Sequence, residues 1–123
     1  MPHLTLEYSE NIPHKPDLRN LLSELHELLV ATGEFERASI KSRAVERDVF
    51  VVGDGAPEGA FVALEIGILD GRSDEAKAHL SESALDLLAQ HFSAALAETR
   101  CNITVRVTDL HRASYRKRVS SQT

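Results

Sequence analysis

The sequence predicts an α/β (α+β) fold: two β-α-β repeats forming a four-stranded sheet with two helices on one face. Three observations predict it. Segments with a two-residue period and segments with a helical period follow in the order strand, helix, strand, strand, helix, strand. A weak internal repeat sets Leu4-Thr5-Leu6-Glu7 on Val62-Ala63-Leu64-Glu65, and the same displacement sets Leu18 on Ala76, Leu22 on Leu80 and Leu29 on Leu87. Finally, 123 residues fit one ordinary domain and leave no room for two. The expectation is one domain over 1–123, with repeat halves of about 1–55 and 56–110 and a tail over 111–123.

His3 to Tyr8 alternates, with Leu4, Leu6 and Tyr8 on one face and His3, Thr5 and Glu7 on the other, so it reads as a half-buried strand. Pro13 and Pro16 break the pattern, and Pro16 suits a first helical turn. Leu18, Leu21, Leu22, Leu25, Leu28 and Leu29 then follow at helical spacing up to Gly33, predicting a helix from about Pro16 to Thr32. Period two returns at Ser39, with Ile40, Ser42 and Ala44 facing one way and Lys41, Arg43 and Val45 the other. Val49 to Val52 continues it, so residues 39–52 read as one long strand or two short ones.

Residues 53–59, rich in glycine, form a turn region. Ala60 to Ile68 is apolar except at Glu65, which predicts a strand buried on both faces. Ser73 is placed to cap a second helix, with Asp74 and Glu75 favouring its positive end. Its apolar positions run from Ala76 to Leu96, predicting a helix to about Thr99. Ile103, Val105 and Val107 alternate with Thr104, Arg106 and Thr108 in a last strand. Two parallel crossovers put both helices on one face of the sheet. An uncovered apolar face opposite them predicts association with further copies of the chain.

Composition narrows the function. The 14 Lys and Arg against 19 Asp and Glu give a net charge of −5. An acidic surface repels phosphate backbones and argues against a nucleic-acid partner. No apolar run approaches the roughly 20 residues of a membrane span, and MPHLTLEYSE lacks the basic start and apolar stretch of a signal peptide. A lone cysteine, Cys101, excludes an internal disulfide and suits a reducing compartment. A cytoplasmic protein with no membrane partner is expected.

Most signals of chemistry are missing. The chain has no G-x-S-x-G, and Cys101 reads as a small strand-edge filler. The six histidines show neither H-x-x-x-H nor H-E-x-x-H spacing, so no metal site is expected. Gly53, Gly55 and Gly59 miss the G-x-G-x-x-G spacing and serve to turn the chain. The tail cations Arg112, Arg116, Lys117 and Arg118 read as a solvated or subunit-bridging end rather than an anion site.

The start of the chain differs. Removal of Met1 leaves Pro2 with a free secondary amine. An α-amino group has an unperturbed pKa near 8, and burial or cationic neighbours lower it toward neutrality, making a general base. Lys41 and Arg43 share a face of the next strand, and Arg72 stands at a strand-to-helix turn, where backbone N–H groups also favour anions. Solvated surface charge is the ordinary reading of these cations; the functional one is that they bind the carboxylates of a small anionic substrate around Pro2.

Met1-Pro2-His3 with Glu7, Ser9 and Asn11-Ile12, then Ala31-Thr32-Gly33, Ile40-Lys41-Ser42-Arg43, Ala60-Phe61-Val62 and Gly71-Arg72-Ser73 carry a resemblance over nearly the whole chain. The chain resembles the tautomerase superfamily, specifically the 5-carboxymethyl-2-hydroxymuconate isomerases of homoprotocatechuate degradation. The resemblance implies a homotrimer of two-fold-repeated β-α-β units and a cofactor-independent isomerase. In it the amino-terminal proline shuttles a proton on an unsaturated 2-hydroxy or 2-oxo acid. Pro2 would be the base and then the acid. Arg72 would bind a substrate carboxylate and stabilise the enolate. Lys41 falls where the characterised isomerases have a second arginine; lysine keeps the charge but loses the bidentate fork. Arg43, on the same strand face, is positioned to compensate. A tautomerase-fold enzyme acting on another 2-oxo acid, and a non-catalytic binding or scaffold trimer, are the alternatives.

Overall fold

The alternating segments do form strands, and their pairing decides where the chain's two ends lie. The computed structural model describes residues 1–121. It contains strands β1 (His3–Ser9), β2 (Lys41–Arg47), β3 (Gly59–Leu69) and β4 (Arg100–Leu110), with helices α1 (Leu18–Ala31), α2 (Asp74–His91) and α3 (Ser93–Glu98). The sheet order is β2-β1-β3-β4. β1 and β2 are parallel, β3 and β4 are parallel, and β1 and β3 are antiparallel. Two β-α-β units therefore meet along the first strand of each.

The apolar side of each strand faces the helices. Leu4 and Leu6 of β1, Val62, Leu64 and Ile66 of β3, Leu21, Leu25 and Leu29 of α1, and Leu80, Ala84 and Leu88 of α2 form one buried cluster. Its positions match the periods of two and of 3.6 residues that each element requires. His91 Nε2 lies 2.6 Å from Glu24 Oε2, joining α2 to α1. His26 Nε2 lies 2.7 Å from Ser42 Oγ, joining α1 to β2.

Several expected limits are corrected. Helix α1 starts after Asp17, whose carboxylate accepts the Asn20 N–H at 3.1 Å; Pro16 lies outside it. Strand β2 covers only Lys41–Arg47 of the expected 39–52. Its one neighbour, β1, ends at Ser9 opposite Arg47, so the chain beyond has no ladder to continue. Val49 and Val51 are accordingly 91% and 79% exposed. The second helix breaks at Phe92, which leaves helical geometry (φ −108°, ψ 29°) and is itself buried. The last strand is longer than expected, because β3 offers it partners from Gly59–Arg100 to Leu69–Leu110. The cap at Ser73 is present: its Oγ accepts the Ala76 N–H at 3.1 Å.

The face opposite the helices is also not the apolar surface expected. It presents Thr5 and Glu7 of β1, Glu65 of β3, and Thr104 and Arg106 of β4. Arg106 pairs with Glu65 at 2.8 Å and Arg47 with Glu7 at 3.2 Å. β3 is thus fully buried on its helix side only, with Phe61, Ala63 and Glu65 partly exposed on the other. Alternation had already sorted the polar residues of β1 and β4 to that side, and they dilute the apolar ones of β3.

Candidate active site

Parallel and antiparallel pairing together bring four chain segments to one end of the sheet. His3, at the start of β1, pairs with Lys41 at the start of β2 and with Gly67 near the end of β3; Gly67 in turn pairs with Thr108 near the end of β4. The chain's first residues, Lys41, the turn into α2 and the tail after Leu110 all converge there. Pro2 is fully buried. Its carbonyl accepts the Lys41 N–H at 3.1 Å, extending the β1–β2 ladder by one step.

Arg72 is delivered by the turn from β3 into α2. Gly71 has φ +115°, a conformation that side chains disfavour, and it bends the chain so that Ser73 can cap the helix. The Arg72 guanidinium donates to the Leu69 carbonyl at 3.1 Å and lies 4.7 Å from the centre of the Phe35 ring. Its Nε stands 3.5 Å from Glu34 Oε1. The arginine is held on three sides, with Glu34 the more exposed member of its ion pair.

The chain's first nitrogen feels this setting. Burial holds the Met1 ammonium below its ordinary pKa of about 8, and the charges of Lys117, Arg72 and Lys41 press it further down, against a smaller opposing pull from Glu36. Loss of Met1 would leave the Pro2 nitrogen one residue deeper. His3 follows the same logic: burial, then Arg43, Lys41 and the terminal ammonium lower its pKa, favouring the neutral imidazole. Its Nε2 is 2.9 Å from Tyr115 Oη, and that hydroxyl also lies 3.6 Å from Met1 Sδ.

Of the residues singled out in the sequence, Pro2, Lys41 and Arg72 are brought to one end of the sheet. Arg43 lies on the open face, where it donates to Thr5 Oγ1 at 3.3 Å; its charge acts on His3 and is not among those acting on the terminal nitrogen. Sequence reasoning missed Lys117, Glu36, His3 and Tyr115 as members of this group. The cluster of tail cations was visible, but no local pattern says that the tail returns to the first residue. Cys101, on the edge strand β4, is half-buried with its thiol pKa raised by burial, a poor state for a nucleophile. Among the described residues, no group of three or more His, Cys, Asp or Glu is arranged to hold a metal ion, and no helix is long and apolar enough to cross a membrane.

Residues 2–122 match the family model for 5-carboxymethyl-2-hydroxymuconate isomerase. The chain is 32% identical over 111 residues to 5-carboxymethyl-2-hydroxymuconate Delta-isomerase of Escherichia coli, covering 90% of this chain and 88% of that one. It superposes on the crystal structure of a 5-carboxymethyl-2-hydroxymuconate isomerase from Deinococcus radiodurans R1 with a TM-score of 0.89 and 31% identity, over 97% of this chain and 90% of the other. A fused 4-OT symmetric trimer shares the fold at a TM-score of 0.63 and 21% identity, over 90% of this chain and 87% of that one.

Proposed function

Because the chain belongs to the 5-carboxymethyl-2-hydroxymuconate isomerase family, we propose that it is a homotrimer that isomerises an unsaturated 2-hydroxy or 2-oxo di- or tricarboxylate. The names of its relatives support 5-carboxymethyl-2-hydroxymuconate itself as the substrate. The trimer is supported by symmetric-trimer neighbours of the same fold and not by an apolar open face. Loss of Met1 frees the Pro2 nitrogen as the base. That nitrogen takes a proton from the substrate, becomes an ammonium, and returns the proton to a different carbon of the conjugated system. The cycle moves a proton and no electrons, and the amine ends as it began, so it calls for no cofactor.

The observation that carries the reading is the strand register that sets buried Pro2 beside Lys41 and near the turn bearing Arg72. There, Lys117, Arg72 and Lys41 all lower the pKa of the chain's first nitrogen. These cations do two things at once. They weaken the amine's hold on a proton, and they offset the negative charge that builds on the substrate oxygens once the proton has left. Arg72 grips a carboxylate beside the enolate, and Lys41 binds from β2. Intact mass of natively expressed protein, followed by an ultraviolet assay of enol-to-ketone conversion on the same sample, tests the reading. Conversion by the Pro2-first form and none by a form retaining Met1 is the expected result; equal rates overturn it.

A further inference from the structure

The tail after β4 is fastened to the body at two places. Arg112 donates through Nη2 to the Asp70 carbonyl at 2.8 Å, and its Nε stands 3.5 Å from the Asp70 carboxylate. A single 3-10 turn, Arg112–Ser114, then carries the chain to Tyr115, whose hydroxyl lies 2.9 Å from His3 Nε2. His3 is the residue next to Pro2. The tail is thus drawn over the start of β1 rather than released into solvent, and Lys117 follows two residues beyond the second fastening.

Past that point the tail closes one side of a cavity of about 370 Å³, the size range of small-molecule sites. Glu36, Ser39 and Lys41 line it from the body, and Lys117, Arg118 and Val119 line it from the tail. Three cations against one carboxylate give its lining a net positive charge, which favours an anion. Lys41 Nζ spends one hydrogen bond on the Ser39 carbonyl, at 3.3 Å, and has donors left over. Arg72 lies outside this cavity, packed with Glu34 and Phe35 around a crevice of only about 10 Å³, so a carboxylate must meet its guanidinium at the surface. The Lys41 N–H bonded to the Pro2 carbonyl at 3.1 Å sets the cavity beside the amino terminus, and Arg72, Lys41 and Lys117 all act on the chain's first nitrogen. A substrate with one carboxylate can use Arg72 alone; one that reacts at the terminal nitrogen and also reaches the cavity needs a second carboxylate to meet its cations.

We propose that Lys117, held by the Tyr115–His3 fastening, binds the second carboxylate of a dianionic substrate in the cavity it shares with Lys41. This rests on the isomerase reading for the reaction, but binding can be measured without turnover. Adipate, a saturated six-carbon dicarboxylate, cannot isomerise, and hexanoate is its counterpart with a single carboxylate. Titration calorimetry of the full chain and of its Lys117→Gln and Lys117→Arg variants with both acids makes the test. Lys117→Gln should weaken adipate binding by about tenfold, as expected for loss of a charge-assisted contact, and change hexanoate binding less than about twofold. Lys117→Arg, which keeps the charge, should restore most of the adipate affinity. An adipate affinity unchanged in Lys117→Gln overturns the assignment, as does an equal loss for both acids, or an unaltered protein that binds adipate no better than hexanoate. Adipate binding of the expected pattern in a protein that converts no enol acid would overturn the isomerase reading and leave the role of Lys117 standing.

Discussion

Leu6 lies directly across the antiparallel β1–β3 pair from Leu64, and both are buried. These two leucines also occupy the same place in the internal sequence repeat, so an approximate two-fold axis passes between them. The axis does not extend to the chemistry. The repeat position of Pro2 is Ala60, an interior residue of β3 with no free amine; that of Arg72 is His14, and that of Lys41 is Thr99. Each chain should therefore bind one dicarboxylate ligand, at one end of the sheet. Calorimetry giving a stoichiometry near two per chain would contradict this asymmetry.

For Pro2, the relevant measurement is the pH dependence of kcat/KM. A general base works when unprotonated, so activity should rise with pH as the amine loses its proton. Burial first, then Lys117, Arg72 and Lys41, lower the pKa of the Met1 ammonium. The same surroundings should act on the Pro2 amine that replaces it, placing the midpoint below the ordinary value of about 8. In Lys117→Gln one of these positive charges is gone, and the midpoint should move up. A midpoint above 8 in the Pro2-first protein, or a downward shift in the variant, would show that these cations do not govern the base.

Arg72→Ala should lower kcat/KM by a factor of about 10 to 150, the worth of roughly 1.5–3 kcal/mol for a charge-assisted contact. It should also cost some stability, because the guanidinium packs on Phe35 and bonds the Leu69 carbonyl; about 1 kcal/mol is the expected scale. Arg72→Lys should hold more of the stability than of the activity, since lysine loses the planar fork. Kinetics that stay level while the melting temperature collapses would make Arg72 a structural residue.

Gly71→Ala separates the turn from the side chain it presents. At φ +115° an alanine is strained, at a cost of roughly 1–3 kcal/mol, while the nearest atom a new Cβ would meet is Arg112 Nη2 at 3.9 Å. Strain and not collision is the expected cause. Melting should fall and kcat/KM with it, because relief of the strain rotates Arg72 away from the site. A variant as stable and as active as the parent would mean that the turn adapts freely.

The sequence revealed the layers of this fold better than its margins. Leu4, Leu6, Leu21, Leu25 and Leu29 declare their elements by period alone, because each element buries one side. The end of β2 was not legible: it depends on where β1 stops, a pairing made by residues far away in sequence. The break at Phe92 was hidden for a related reason, since the apolar spacing continues through it to Ala95. At the site, Pro2, Lys41 and Arg72 stand at strand starts and turns that periodicity locates. Lys117 and Tyr115 belong to a segment with no period, and only the fastening to His3 reveals where they go.

The burial of Pro2 sets an order of events during synthesis. Its strand lies inside the sheet, and the partner on one side, β3, begins only at Gly59. The tail that covers the terminus is the last part of the chain to be made. At roughly 5–20 residues per second, translation of 123 residues lasts about 6 to 25 seconds, and for much of that time the first residues have no sheet to enter. If Pro2 is the base, an aminopeptidase has to take Met1, and this interval, while the terminus is still an unfolded end, gives it the freest access. A chain that outruns the enzyme would fold with Met1 still attached and half-exposed, as it is here. Under the proposed mechanism it would be inactive, and the rate of translation relative to processing would set the active fraction.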